Sequence, residues 1–275
     1  MIRITTLIEN SPGEHLALKH EHGLSFCIET PGHTVLFDTG QSGLFMENAA
    51  QLRIDLAAVD HVVLSHGHYD HSGGLKALLE VNDHFTVVVG QGFFNDKYAE
   101  LNGGYEFLGN NFTEDFLRQR EVVCNEFTQP VLEVVPGVYA VGKFPRIHPD
   151  EVINPRFKLL ADEGFVQDSF DDEILLVVDT PLGLVVLLGC SHPGMRNMLD
   201  AVKERFSKPI HAVLGGTHLV EASNPVIQVA SDYLTHEGID IIGVSHCTGK
   251  IGMKALSEST GGYFHNRTGS ALVIL

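Results

Sequence analysis

The chain of 275 residues carries 18 basic and 35 acidic side chains, so its formal net charge is −17. This charge argues against non-specific binding to nucleic acid or to an anionic membrane, because both surfaces would repel the protein. Apolar residues make up 44% of the chain and charged residues 19%, which excludes a disordered acidic protein. Sixteen histidines stand beside no tryptophan, and because histidine is the commonest metal ligand this raises a metal-binding hypothesis.

The cysteines and the N-terminus indicate the cellular compartment. Four cysteines (Cys27, Cys124, Cys190 and Cys247) in a chain of this size form no disulfide framework. Residues 1–10 lack the charged start, apolar run and cleavage site of a signal peptide, and no stretch reaches the roughly 18 apolar residues of a membrane span. We expect a cytoplasmic protein that acts on a small molecule. The oligomeric state is left open.

Eleven short apolar runs have the length of β-strands, and each ends at turn residues such as Pro31-Gly32. Early runs follow one another closely, as in hairpins, whereas later runs alternate with three helix-like segments. This order predicts an α+β fold, with a layered α/β/β/α sandwich of two sheets as its architecture, in a single domain over residues 1–275. The predicted strands are 2–8, 24–28, 34–37, 61–64, 86–89, 138–141, 174–178, 184–188, 211–214, 239–244 and 271–275, and the predicted helices are 75–80, 195–206 and 226–236.

A stretch from about residue 92 to residue 172 differs in texture from the rest of the chain. It is rich in Gly, Asn, Asp and aromatic residues, and 10 of the 16 phenylalanines lie between Phe93 and Phe170. A long irregular insertion of this kind is often a lid or the wall of a binding pocket. A satellite hydrophobic cluster or an oligomer contact is the alternative interpretation.

The segment with the clearest chemistry follows the strand at 61–64. It reads His66-Gly67-His68-Tyr69-Asp70-His71, so four potential ligands lie within six positions. Two histidines at i and i+2 on an extended turn can reach one cation, and the Asp-His pair at the start of the next helix can supply a second. We therefore interpret this segment as a metal site.

Three later predicted strands also end in a small or polar residue followed by histidine, at His192, His218 and His246. In sheet-based folds, ligands converge where the ends of neighbouring strands meet. Together with His66, four strand ends are expected to deliver imidazoles to one edge of the fold.

These segments resemble the metallo-β-lactamase superfamily. More narrowly, they are similar to a subfamily named for a dihydropterin–ribofuranosylaminobenzene phosphate synthase, and the similar motifs cover nearly the whole chain. The motifs are 21–25 (Glu-His-Gly-Leu-Ser), 37–40 (Phe-Asp-Thr-Gly), 65–74, 189–194 (Gly-Cys-Ser-His-Pro-Gly), 215–219 (Gly-Gly-Thr-His-Leu) and 246–249 (His-Cys-Thr-Gly).

The resemblance implies a four-layer αββα sandwich with two divalent metal ions in the cleft between its sheets. It assigns three ligands to each ion. By position, the first ion would be held by His66, His68 and His192, and the second by Asp70, His71 and His246.

Residue Cys190 departs from the family pattern, because many members place a bridging Asp at this position. Cys190 either ligates as thiolate or leaves the bridge to a water and a neighbouring histidine. A thiolate ligand favours zinc, whereas an all-histidine and carboxylate site would also suit iron or manganese. His218 is a spare candidate, as a ligand or, in the roles we favour, as a group that supports a ligand or contacts the substrate. Asp38 is expected either to orient a ligand histidine or to form a plain turn.

A local cluster of basic residues offers a substrate hypothesis. Lys143, Arg146, Arg156 and Lys158 lie within a 16-residue window of a chain that is otherwise acidic. Near a metal cleft, Lys143, Arg146 and Arg156 would bind a phosphate or carboxylate. Solvated surface charges are the alternative interpretation.

Hydrolysis is the function that these observations favour. A water activated by two metal ions would attack a phosphoester, lactone or amide, with Asp70 at the second ion. A metal-bound water or a nearby histidine such as His218 would protonate the leaving group. The resemblance places an anionic, phosphate- or pterin-type substrate first. The alternatives are an iron-dependent redox enzyme with the same ligands and a non-catalytic ligand-binding protein.

Overall fold

The computed structural model describes residues 1–275 and contains seventeen strands and seven α-helices. The strands are β1 (Ile2–Ile8), β2 (Ser25–Thr30), β3 (His33–Phe37), β4 (His61–Val63), β5 (Thr86–Gly90), β6 (Lys97–Leu101), β7 (Gly104–Phe107), β8 (Cys124–Phe127), β9 (Val131–Val135), β10 (Val138–Val141), β11 (Phe157–Ala161), β12 (Gly164–Gln167), β13 (Leu175–Thr180), β14 (Gly183–Leu188), β15 (Ile210–Gly216), β16 (Ile241–Ser245) and β17 (Ala271–Ile274). The helices are α1 (Leu44–Gln51), α2 (Tyr69–Ser72), α3 (Leu75–Leu78), α4 (Glu114–Gln119), α5 (Met195–Arg205), α6 (Asn224–His236) and α7 (Gly249–Ser259).

Two large mixed sheets form the centre of the fold. The first has the strand order β17-β1-β2-β3-β4-β5-β8, and the second has the order β16-β15-β14-β13-β10-β9. Neighbours are parallel from β3 to β8 in the first sheet and from β14 to β16 in the second, and the other neighbours are antiparallel. A third, smaller sheet has the order β12-β11-β6-β7.

Three hydrophobic cores define four layers. Along β14, Val185 and Leu187 belong to the core between the two large sheets, and Val186 belongs to the core that includes residues of α5 and α6. A separate core beneath the outer face of the first sheet includes Phe45 of α1 and Leu75 of α3. Because side chains alternate along a strand, a wholly apolar strand such as β14 is buried on both faces. The predicted α+β fold with an αββα sandwich is confirmed.

The predicted elements match the observed ones unevenly. Each of the eleven predicted strand segments overlaps a strand, and the three predicted helices overlap α3, α5 and α6. Helices α1, α4 and α7 were not predicted. Helix α7 contains Gly249 and Gly252, which lower helix propensity, and packs against the segment around Leu219, so tertiary contacts stabilise it. None of the helices combines the length and apolar character that crossing a membrane requires.

The segment 92–172 is not one insertion, so the predicted boundaries are too broad. Strand β8 belongs to the first large sheet, and β9 and β10 belong to the second. The parts that stand apart are the two hairpins β6–β7 and β11–β12, which pair with each other as the small sheet. Its aromatic residues Tyr98, Tyr105, Phe107 and Phe165 pack against one another, with the rings of Tyr105 and Phe165 stacked at 3.6 Å.

The strand directions bring the candidate residues to one edge of the sandwich. Strand β1 is antiparallel to β2, which is antiparallel to β3, so β1, β3 and β4 end on the same side. In the second sheet β14, β15 and β16 also end together, and β13 begins there because it is antiparallel to β14. The segments that follow these strand ends therefore meet, as the sequence analysis expected for the histidines.

Candidate metal centre

The first group of candidate ligands consists of His66, His68 and His192, which follow the ends of β4 and β14. One nitrogen of each imidazole lies within 4.8 Å of the others, and His66 Nε2 is 3.0 Å from His68 Nδ1. All three residues are buried, with exposed fractions of 5% or less. Burial is the main cause that lowers their pKa values well below the ordinary histidine value. The imidazoles are therefore neutral, which is the form that binds metal.

The second group is centred on the carboxylate of Asp70. Its Oδ2 atom is 3.1 Å from His22 Nε2, 3.3 Å from His246 Nε2 and 3.7 Å from His71 Nε2. Burial raises the pKa of Asp70, but attraction to His71 and the hydrogen bond from His22 outweigh burial and leave it well below the ordinary value. Asp70 is thus an ionised carboxylate among three imidazoles. His22 was not predicted as a site residue, although it lies in the motif at 21–25.

Residue Cys190 lies between the two groups. Its Sγ atom is 3.2 Å from His71 Nε2, and it clusters with His66 and His71 within 4.8 Å. This is the place that the resemblance assigned to a bridging ligand. A second thiol, Cys247, clusters with Cys190 and His218 and was not predicted, since a single cysteine after His246 carries no spacing signal.

His218 lies at the rim of the first group. Its ring centroid is 4.2 Å from that of His192, and its Nε2 is 3.3 Å from Glu221 Oε2. Burial lowers the pKa of His218, but hydrogen bonds to Cys247 and Glu221 outweigh it and raise the pKa to about 10. The Nδ1 atom of His218 is buried without a hydrogen-bond partner, and His218 clusters with Cys190 and Cys247 within 4.8 Å. The geometry therefore fits both predicted roles of His218, as a proton donor and as a metal ligand.

Buried carboxylates at neighbouring strand ends hold the ligand loops. Asp38 accepts the Ser65 N–H at 2.7 Å and lies 2.6 Å from His71 Nδ1, so it is placed to orient this imidazole. Glu173 accepts the backbone N–H groups of Cys190, Ser191 and His192. Glu9 accepts the His246 N–H at 2.6 Å. Glu9 follows β1 and Glu173 precedes β13. Neither was predicted, because acidic residues are common in the turns at strand ends.

A buried ion cluster supports the loop between His66 and His68. Lys97, which is 1% exposed, places Nζ 2.7 Å from Asp168 Oδ2 and 2.9 Å from Asp172 Oδ1. The other oxygen of Asp172 accepts the Gly67 N–H at 2.9 Å. Lys97 therefore neutralises the carboxylate that fixes the turn between the first two ligands.

Two phenylalanines of the segment 92–172 pack against the ligand imidazoles. The ring of Phe170 stacks on His192 at 3.7 Å, and Phe157 lies 5.0 Å from His192 and 5.6 Å from His68. Lys97 Nζ lies over the Phe170 ring at 4.6 Å. These aromatic residues orient and shield the first ligand group, so part of the segment contributes a wall of the site.

The predicted anion-binding residues do not face one cavity. Lys143 and Arg146 line a cavity of about 320 Å³ that also includes Phe170 and Glu173. Arg156 instead pairs with Glu221 at 2.7 Å, beside His218. Arg146 donates to the Ser169 carbonyl at 2.7 Å and Lys143 to Gln91 at 2.7 Å. Binding of an anion by these residues stays a prediction.

The residues present fit divalent metal ions. The buried Nε2 atoms of His192 and His246 have no hydrogen-bond partner, which is costly unless another ligand occupies them. The Gly23 N–H group fixes Asn10 Oδ1 as an acceptor, and His246 Nδ1 donates to the same oxygen at 2.9 Å. The lone pair of His246 is therefore on Nε2, beside Asp70. A hydrogen bond to the remote ring nitrogen is the usual support of a metal-binding histidine.

Replacing Asp38 with asparagine is expected to weaken metal binding by about 10- to 100-fold, because the variant no longer offers a carboxylate to His71 Nδ1. Asparagine tolerates the left-handed backbone of this position (φ 62°), so the fold is retained. Competition with a chromogenic zinc chelator measures the effect. Asp60→Asn is the matched control, since Asp60 pairs with His33 on the surface. Equal zinc affinities in both variants would contradict the orienting role of Asp38.

Comparison with known proteins defines the family. The sequence profile of the metallo-β-lactamase superfamily matches residues 19–180, so the chain belongs to this superfamily. Over 268 residues the chain is 32% identical to the 7,8-dihydropterin-6-methyl-4-(β-D-ribofuranosyl)-aminobenzene-5′-phosphate synthase of Methanocaldococcus jannaschii, covering 90% of this chain and 88% of that protein.

Solved structures agree with this assignment. Tm1679, described as a metal-dependent hydrolase of the β-lactamase superfamily, superimposes with a TM-score of 0.88 at 29% identity, covering 100% of this chain and 99% of that one. YhfI from Bacillus subtilis has a TM-score of 0.58 at 13% identity, with 98% of each chain covered, and shares the fold alone. The chain thus belongs to the metallo-β-lactamase superfamily and has its fold.

Proposed function

We propose that the protein is a metal-dependent hydrolase that attacks an anionic small molecule, of phosphate or pterin type, with an activated water in the cytoplasm. The observation that carries the proposal is the pair of ligand groups joined at Cys190. One group has three neutral imidazoles, and the other has the ionised Asp70 among three imidazoles. Four free cysteines suit the reducing compartment.

The ligand chemistry supports two divalent ions. His66, His68 and His192 would hold the first ion, and Asp70, His71 and His246 the second, with Cys190 shared. Bound there, two divalent ions supply an activated water nucleophile and polarise a substrate oxygen. Burial raises the pKa of the Cys190 thiol, so Cys190 would lose its proton only on binding a metal ion, and a thiolate ligand favours zinc over manganese or iron.

The side chains around the two groups have separate tasks. Asp70 carries a fixed negative charge, and His22 orients its Oδ2 from 3.1 Å. His218 holds a proton beside Glu221 at the rim, where a leaving group would depart. Phe157 and Phe170 exclude water from one side of the imidazoles.

Hydrolysis of bis(4-nitrophenyl) phosphate and of a chromogenic lactone tests the proposal. The protein is stripped with a chelator and then reloaded with zinc, manganese or iron. We expect turnover of the diester that depends on the restored metal and is absent in His68→Ala. Turnover equal to that of His68→Ala with every metal, on both substrates, would contradict the proposal.

A synthase activity is a second candidate, favoured by the 32% identity to the M. jannaschii synthase. In that case an amine of a second substrate, rather than water, would form the new bond to a carbon of the pterin substrate, and a phosphate-type leaving group would depart from the same carbon. Incubation with a pterin substrate in the presence and absence of an aminobenzene ribofuranosyl phosphate separates the two. A coupled product that forms only with both compounds would favour the synthase, and release of a hydrolysed pterin without the amine would favour the hydrolase.

A further inference from the structure

A cavity of about 310 Å³ opens beside the first ligand group. His192 and His218 line the end of the cavity next to the first ligand group, and its other walls come from the segment 150–155 and the starts of α5 and α6. The wall side chains include Val152, Met195 and Val226. This volume lies within the range of small-molecule sites, and a cavity of roughly 150 Å³ already accepts a benzene ring.

The acidic side chains at the cavity wall are already engaged with the protein. Glu151 accepts the backbone N–H groups of Arg196 and Asn197 at 2.8 and 2.9 Å, at the first turn of α5. Glu221 pairs with Arg156 at 2.7 Å and with His218 at 3.3 Å.

The basic side chains at the wall are engaged as well. Arg196 lies within ion-pair distance of both Asp150 and Glu151, and His218 pairs with Glu221. An anion in this cavity would thus need to break an existing ion pair and would also meet three carboxylates. An uncharged group meets aliphatic walls and disturbs none of these pairs.

We infer that this cavity binds an uncharged, mainly apolar ring of the substrate, whose hydrolysable group lies at the His192 end. The inference rests on the proposed function for the position of the reacting group. In this arrangement the ring of the substrate lies against α6, which contributes Val226 to the cavity wall. The basic residues Lys143 and Arg146 line the separate cavity of about 320 Å³ that includes Phe170. They therefore do not contact this ring.

Phosphonates test the inference, because their P–C bond resists hydrolysis and binding is measured without turnover. The probes are phenylphosphonate and methylphosphonate, titrated calorimetrically into zinc-loaded protein. We expect phenylphosphonate to bind the wild type at least about tenfold more tightly, which corresponds to about 1.4 kcal/mol from burial of the ring.

Variants of α6 identify the cavity as the source of this preference. Val226→Phe fills the cavity from a half-buried position, and Val229→Phe adds the same side chain to the exposed face of the same helix. We expect Val226→Phe to abolish the preference for the phenyl compound and to leave methylphosphonate binding unchanged, while Val229→Phe retains both.

Three results would overturn the inference: no preference in the wild type, a preference retained in Val226→Phe, or no binding of either compound. Hydrolysis of bis(4-nitrophenyl) phosphate is measured separately on the same preparations. A protein that prefers the phenyl compound and hydrolyses nothing would refute the proposed function and leave the cavity assignment standing.

Discussion

Lys97→Met is expected to lower the free energy of unfolding by about 3 to 5 kcal/mol, because it leaves two buried carboxylates without a counter-charge. Asp168 and Asp172 are each 3% exposed or less, and both lie within 2.9 Å of Lys97 Nζ. Equilibrium unfolding in urea measures the change. The effect reaches the metal centre, because Asp172 also binds the Gly67 N–H between two ligands.

The matched control for this variant is Lys203→Met. Lys203 also pairs with two carboxylates, Asp200 and Glu237, each at 2.8 Å, but its side chain is 34% exposed. Exposed ion pairs contribute about 0 to 1 kcal/mol, so the control is expected to stay within that range. If both variants lose less than about 1 kcal/mol, the account of Lys97 as the neutralising group is wrong.

Asp70→Asn is expected to reduce kcat/KM for bis(4-nitrophenyl) phosphate by about 10³-fold, which corresponds to about 4 kcal/mol of transition-state stabilisation. The variant removes the one carboxylate of the second ligand group while keeping its shape. His22, His71 and His246, which surround Oδ2 in the native protein, then face a neutral amide. Steady-state rates with saturating zinc measure the change.

The control for this variant is Asp240→Asn, because Asp240 also pairs with an imidazole, that of His211, at 2.8 Å on the surface. Its activity is expected to equal that of the wild type. An Asp70→Asn enzyme with at least a third of the native kcat/KM would show that the second ligand group is not needed for the chemistry.

The layered sandwich was predictable because each of its strands and helices can be recognised from a short stretch of sequence. Apolar runs such as 184–188 define a strand by length and composition alone, and their alternation with helical segments defines the layers. The candidate site was predictable for the same reason where potential ligands cluster in sequence, as from His66 to His71. His192 and His246 were assigned through the resemblance, and the structure places them beside His66 and Asp70 respectively.

The supporting residues were not predictable, because they act across long sequence separations. Glu9 holds the backbone of His246 from 237 positions away, and Lys97 meets Asp168 and Asp172 from a different hairpin. No spacing rule identifies such partners, and each depends on which strand ends meet. The predicted boundaries of the insertion were too broad for the same reason. Strands β8, β9 and β10 belong to the two large sheets, and only their pairing with distant strands shows this.

The basic cluster shows how proximity in sequence differs from proximity in space. Arg146 and Arg156 lie ten positions apart, but Arg146 lines one cavity and Arg156 is paired with Glu221 at the wall of the other. The sequence shows that several basic residues lie close together in one loop. It does not show which of them are already paired with a carboxylate and which are free to bind an anion. The ion pairs of Arg156 and Arg196 are features that only the structure shows.

Metal analysis by plasma emission, on protein purified without added metal, tests the central claim most directly. The account predicts about two zinc ions per chain in the wild type and a clear loss in His68→Ala, because His68 belongs to the first ligand group. Iron in place of zinc would contradict the assignment of zinc and favour the alternative of a redox enzyme with the same ligands. No bound metal in either protein would contradict the metal centre itself and favour a ligand-binding protein.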